Sequence, residues 1–132
     1  MSFAELYRAD FYNSNLSGVN LSRAILPRAD FTNANLAGAD LSKADTIRSV
    51  FEGASMTNAN MRFAVLSRAS FKGAELAGSD WSDAYLFRAN IQSTDLSGVL
   101  GLRQEQIAQS CGNDATILPK GLVAPEKWPC DE

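Results

Sequence analysis

From Leu6 to Leu96 every fifth residue is a bulky apolar one, with Thr46 the single departure among nineteen positions. Two residues before each of these centres, from Ala4 to Val99, stands a small or β-branched residue: fourteen Ala, three Ser, two Val and Thr94. A helix needs apolar residues three and four apart and a strand needs strict alternation, so a period of five suits neither. A chain that turns a corner every five residues does satisfy it, because each short side sends one small and one large side chain into a shared interior. The regularity predicts a solenoid with short straight sides.

A second, longer period sets the number of sides. Arg8, Arg28, Arg48, Arg68 and Arg88 recur every twenty residues, as do Phe11, Phe31, Phe51 and Phe71, with Ile91 closing that column. Twenty residues are four units of five. Stacking residues twenty apart gives a four-sided coil in which like side chains lie about 4.8 Å above one another, and about five coils make a rod on the order of 25 Å long. Phe11, Phe31, Phe51, Phe71 and Ile91 are expected to form one buried stack, and Thr46 to be the weak point of its own column.

Units such as Ala9-Asp10-Phe11-Tyr12-Asn13, Ala34-Asn35-Leu36-Ala37-Gly38 and Ala39-Asp40-Leu41-Ser42-Lys43 resemble those of the pentapeptide-repeat family, over residues 4–100. The resemblance implies an all-β solenoid, a right-handed four-sided parallel β-helix. It also implies a range of functions. Some members resemble duplex DNA in shape and charge, and bind and inhibit or protect type II topoisomerases such as gyrase, conferring quinolone protection. Those members are strongly acidic dimeric rods. Here residues 1–100 carry nine Lys or Arg against ten Asp or Glu, and the remainder three against five. A near-neutral body with an arginine column makes gyrase binding the alternative, and a non-catalytic binding or scaffolding module for an unidentified protein partner the main expectation. A homodimer is a further possibility.

Sorting residues by position in the coil gives four faces. The first, residues 4–8 and their equivalents, places Tyr7, Ile25, Pro27, Ile47, Val65, Tyr85 and Phe87 outward beside the arginines. Seven apolar residues on one side of a narrow rod are expected to form a contiguous patch of the kind that marks an interface. The second face is the phenylalanine column. The third ends its units in Gly18, Gly38, Asn58, Gly78 and Gly98, residues that tolerate positive φ at a corner. The fourth is polar outside apart from Phe63 and has the large Trp81 in its core column.

Like charges about 5 Å apart repel by roughly 0.8 kcal/mol in water, so the arginine column requires an explanation. One reading is a stripe splayed into solvent and eased by Asp10 and Asp30. The other is a recognition stripe for carboxylates, of a partner or of the chain's own tail. Direct nucleic-acid binding is not expected, because the body lacks a basic excess.

After Val99 the pattern stops. Residues Leu100 to Ser110 read as a short capping helix with Leu102, Ile107 and Ala108 toward the open end of the last coil, and Gly112 as its terminator. The division expected is 1–100 for the β-helix and 101–132 for the cap and an irregular tail. Pro119, Gly121, Pro125 and Pro129 exclude long elements from that tail, yet Leu118, Leu122, Val123 and Trp128 are too apolar for solvent. Either the tail folds over the first face, with Asp131 or Glu132 near an arginine, or it stays at the cap. Its helix, Cys-Gly, Leu-Pro and Trp-Pro-Cys order resembles the endings of some bacterial family members.

Histidine is absent, and Cys111 and Cys130 are the only thiols. That removes Ser/His/Asp and Cys/His catalysis and ordinary zinc sites, so no enzyme, metal or cofactor is expected. The Asp and Asn residues before the centres are read as corner residues bonding nearby backbone. Cys111 and Cys130 are either a disulfide in an oxidising, periplasmic or secreted setting, or two separate thiols in a reducing cytoplasm. No apolar run approaches the roughly 20 residues of a membrane span. A leader is not expected within the chain, since the repeat begins by Ala4, and one already removed is left open.

Overall fold

A computed structural model describes residues 6–130. Its repeating event is a β-turn. The amide of each small residue except Thr94 donates to the carbonyl of the preceding centre, as Ala9 does to Leu6 (3.0 Å), Ser14 to Phe11 (3.0 Å) and Val19 to Leu16 (3.1 Å). The third residue of the turns has positive φ, from Arg8 at 57° through Asn13 at 58° and Gly18 at 67° to Ser93 at 54°, without a gap at intervals of five; Gly98, in the last turn, departs from the expectation and does not. Positive φ at that position defines a type II turn. Thirteen of these residues are not glycine, and include six arginines, Lys43, Phe63 and Asp83. The left-handed conformation was expected only for the Gly and Asn corners of the third face. It is the rule on all four.

Such corners cost roughly 1–2 kcal/mol per non-glycine residue, so something local must offset them. Where the residue before a centre is Asp or Asn, it supplies part of the compensation. Asp10 Oδ1 accepts the amide of Tyr12 (3.0 Å), Asn20 Oδ1 accepts both the amide and the hydroxyl of Ser22 (2.9 and 2.6 Å), and Asp40 and Asp80 do the same for Ser42 and Ser82. These side-chain turns hold the carboxylates and amides at the corners.

Between corners each side contributes a single bridging residue, so no side becomes a strand of ordinary length. Parallel bridges join residues twenty apart, as in Asp10, Asp30, Val50, Ser70 and Asn90 up the second face. Around the bridge of Asp30 with Val50, as through most of the rod, three backbone bonds tie successive coils: Phe31 to Val50 (2.7 Å), Val50 to Ala29 (2.9 Å) and Asn33 to Glu52 (3.0 Å). Inside, the rings of Phe11, Phe31, Phe51 and Phe71 are stacked at 4.9, 4.9 and 5.0 Å, which is the inter-strand spacing. Ile91 is buried beyond them, and Trp81 tilts against Phe71 at 4.8 Å and 51°.

The ladder opens once on the third face. Among the described residues no bridge joins Glu75 to Asp95, although bridging continues below at Ser55 and Glu75 and Gly78 reaches Gly98 (2.8 Å). Two carboxylates directly opposite are unfavourable. Thr94 replaces the usual alanine there, and its hydroxyl bonds the carbonyls of Phe71 and Gln92. A cleft of about 320 Å³ lies between Leu76 and Asp95.

Pairing runs past residue 100. Asn90 bridges Cys111 and Asp95 bridges Ile117, so the twenty-residue offset becomes twenty-one and then twenty-two. The first extra residue is absorbed by α1, Gln104–Gln109, and the second by the turn at Asn113 to Thr116. Helix α1 is shorter than the expected Leu100 to Ser110. Gln106 Oε1 accepts the Arg103 amide (2.7 Å), and its Nε2 donates to the carbonyls of Trp81 and Ala84 (both 3.0 Å). Ile107 is buried, whereas Ala108 is exposed rather than turned to the core. Ser110 ends the helix by returning to extended backbone. Gly112 therefore does not terminate it. It is small because a Cβ there would stand 2.5 Å from the Trp128 ring.

The tail stays at this end. Val123 exchanges two hydrogen bonds with the Gln104 side chain (2.8 and 3.1 Å), Leu118 and Leu122 pack against the core, and Trp128 is buried. Of the two alternatives left open for the tail, the described residues take the one at the cap and not the one over the first face. The expectation for Asp131 and Glu132 lies outside the described residues.

Candidate interaction face

Because the corners from residue 8 to residue 93 use positive φ, the arginines are carried outward at identical backbone positions, with φ of 57°, 59°, 59°, 58° and 55° from Arg8 to Arg88. Arg8, Arg28, Arg48 and Arg68 are exposed and Arg88 half-buried. Among the described residues the ion pairs are Arg62 with Asp80 (3.3 Å) and Arg103 with Glu105 (3.8 Å), and neither involves the ladder. Asp10 and Asp30 do not form ion pairs with it. Their Oδ1 atoms are turned to Tyr12 and Thr32.

Aromatic rings stand in for carboxylates. The Arg8 guanidinium lies 5.4 Å from the Tyr7 ring centre, and Arg68 lies 5.7 Å from Phe87 of the next coil. Such pairings are favourable by about 0.5–1 kcal/mol at exposed sites. Hydrogen bonding and then the charge of Arg8, helped by Arg28, hold the Tyr7 phenol below its ordinary pKa against a smaller opposing effect of burial.

The apolar row is not contiguous. Tyr7 (61% exposed), Ile25 (40%), Tyr85 (59%) and Phe87 (53%) stand out, but Pro27, Ile47 and Val65 are half-buried. In mid-rod a side chain is flanked by the same column above and below, and that stacking sinks the smaller residues. The exposed apolar surface gathers at the two ends of the face. At the upper end it is enlarged by Phe63, which joins Tyr85, Asp83, Arg103 and Gln106 around a cleft of about 280 Å³. The sequence signal for Phe63 was its corner position, a column with no buried member among the described residues.

Cys111 and Cys130 are at disulfide-bonding distance, with Cα atoms 5.4 Å apart. Elsewhere, burial raises the Asp80 carboxyl, but Ser82 and Arg62 outweigh it and hold the pKa below the usual value. Ser97 does the same for Asp95 through its hydroxyl and amide. Among the described residues no group of three or more Cys, Asp or Glu is placed to hold a metal ion. No helix among them is long and apolar enough to cross a membrane.

Two family models match the chain, pentapeptide repeats in eight copies over residues 4–42 and a pentapeptide repeat region over 24–99. No curated protein matches it. Among solved structures it is similar to a pentapeptide repeat protein from the Arabidopsis thaliana thylakoid lumen, at 25% identity and a TM-score of 0.76, covering 85% of this chain and 80% of that one. It is also similar to HetL of Nostoc sp. strain PCC 7120, involved in heterocyst differentiation regulation, at 29% identity and a TM-score of 0.53; 74% of this chain is covered but only 43% of HetL. A third, from the cyanobacterium Cyanothece 51142, shares 18% identity with a TM-score of 0.62 over 87% of this chain and 88% of that one. The fold they share is a right-handed β-helix.

Proposed function

The chain belongs to the pentapeptide repeat family, and from that premise we propose that it is a non-catalytic scaffold whose first face receives a protein partner. One observation carries this reading: five arginines on successive coils, outside both ion pairs of the described residues, share a face with exposed aromatic rings. Arg and aromatic residues are enriched in the central, desolvated parts of protein interfaces. In this reading the rod has about five coils, residues 1–100, and is capped by α1 and the tail of residues 101–132. A regulatory role like that of HetL and a lumenal setting like that of the Arabidopsis relative both suit such a scaffold. Bonding of Cys111 to Cys130 further favours an oxidising compartment.

The test is capture of partners from the native source by the intact chain and by a variant with Arg28, Arg48 and Arg68 replaced by Gln. A partner retained by the first and lost by the second supports the reading. Retention by both overturns it. Size-exclusion chromatography of the same two proteins shows whether the partner is a second copy, and a supercoiling assay tests the gyrase alternative directly, since dose-dependent inhibition would displace the scaffold reading.

A further inference from the structure

We infer that the upper half of the first face, Arg48, Arg68 and Arg88 with Phe87 and Tyr85, is a docking surface for an acidic α-helix of a partner protein; this rests on the scaffold reading above and specifies its partner. Charge comes first. The column beside the ladder carries Asp10 and Asp30 in the lower coils but Val50, Ser70 and Asn90 above, so the upper arginines have no carboxylate there. The carboxylates nearest in register are engaged: Asp45 Oδ1 accepts the Ile47 amide (3.1 Å) and Glu52 Oε2 accepts the Ser70 hydroxyl (2.6 Å). Among the described residues no upper arginine of the ladder is in an ion pair, and the ladder sits beside exposed rings rather than water alone.

Spacing selects the occupant. The coils repeat every 4.9–5.0 Å, so three arginines span about 10 Å. An extended strand laid along the rod presents alternate side chains about 6.6–6.8 Å apart, and after two steps it is out of register by about 3.5 Å. A helix rises 1.5 Å per residue, so carboxylates at i, i+3 and i+7 span about 10.5 Å. One carboxylate then faces each arginine within about half an ångström. Arg68, already stacked on Phe87, is pre-oriented for its partner, which lowers the entropy lost on pairing. The cleft bounded by Phe63 and Tyr85 lies beside the line of the helix and takes one apolar side chain.

The experiment is fluorescence anisotropy of the full chain with a labelled helical peptide bearing Glu at i, i+3 and i+7 and one flanking Leu. Its controls are a peptide of identical composition with Glu at alternate positions and central Pro, and a labelled oligo-dT. The helical peptide is expected to bind, with Arg68→Gln and Phe87→Ser each weakening it about tenfold and Lys43→Gln, on the fourth face, leaving it within about twofold. Arg68→Glu paired with a Glu→Arg peptide is expected to recover binding. Equal binding of the extended peptide or of oligo-dT overturns the helix assignment, as does no binding. If the peptide fails while partner capture still depends on the ladder, the scaffold reading survives without this inference; if capture is also indifferent to the ladder, both fall.

Discussion

The Thr46 hydroxyl donates to the Val65 carbonyl at 2.8 Å, across one coil step, while the Thr46 amide donates to the same oxygen at 3.0 Å. Thr46 is fully buried and is the one polar centre among the nineteen. Its hydroxyl is satisfied, so Thr46→Val should not stabilise the rod. A net loss of about 0.5–1.5 kcal/mol is expected from urea unfolding, the usual worth of one internal hydrogen bond.

Phe51 sits between Phe31 and Phe71 with ring centres 4.9 and 5.0 Å away. Both neighbours are held by their own coils and cannot close the gap. Phe51→Ala is expected to cost about 3–5 kcal/mol, read from the denaturant midpoint, and a loss below about 1 kcal/mol would contradict the stacked column.

Two glycines separate backbone from space. Gly38 has φ of 67° with open space where a Cβ would go, so Gly38→Ala is expected to cost about 1 kcal/mol through conformation alone. At Gly112 the objection is the Trp128 ring, and φ is not positive. Gly112→Ala should instead raise the fluorescence change and protease sensitivity of the tail, leaving cleavage within the coils unchanged.

A bridge between Cys111 and Cys130, nineteen residues apart, fastens a segment that also pairs with Asn90. Mass spectrometry under non-reducing conditions is expected to find the chain lighter by two hydrogens than after reduction. Cys111→Ser or reduction should lower stability by about 3 kcal/mol in the chain-entropy model.

Asp80 and Asp95 both have folded pKa values below the ordinary carboxylate value. Such groups stabilise the fold above their unfolded pKa near 3.9, and the contribution is lost as pH falls through the lower folded value. Both are largely solvent-facing, so screening keeps the effect small. The urea midpoint should fall on acidification from about pH 6 to about pH 2, and Asp80→Asn with Asp95→Asn should flatten the curve.

Much of this architecture is legible in the residues because a stacked column repeats its chemistry every twenty positions. Phe31 over Phe51, or Arg28 beside Arg48, needs no long-range knowledge. The corners were less legible: Arg8 and Phe63 adopt a conformation that intrinsic preference assigns to Gly and Asn, and only the ladder bonds on either side reveal why. The sinking of Ile47 and Val65 also escaped, since burial there comes from neighbours in adjacent coils. Beyond Val99 the repeat is silent, so the pairing of Cys111 and Ile117 and the close approach of Gly112 to Trp128 had no periodic signal to announce them.

The drift of pairing from twenty to twenty-one and twenty-two residues bears on how such a rod changes length. A one-residue slip rotates the stacking of everything above it, and loss of one five-residue unit would carry the later arginines a quarter-turn round to another side. Only whole twenty-residue turns can be gained or lost with the faces kept in line. The single extra residues at α1 and at Asn113 shift only the pairing of Cys111 and Ile117, and leave the four faces of the coils below them in line.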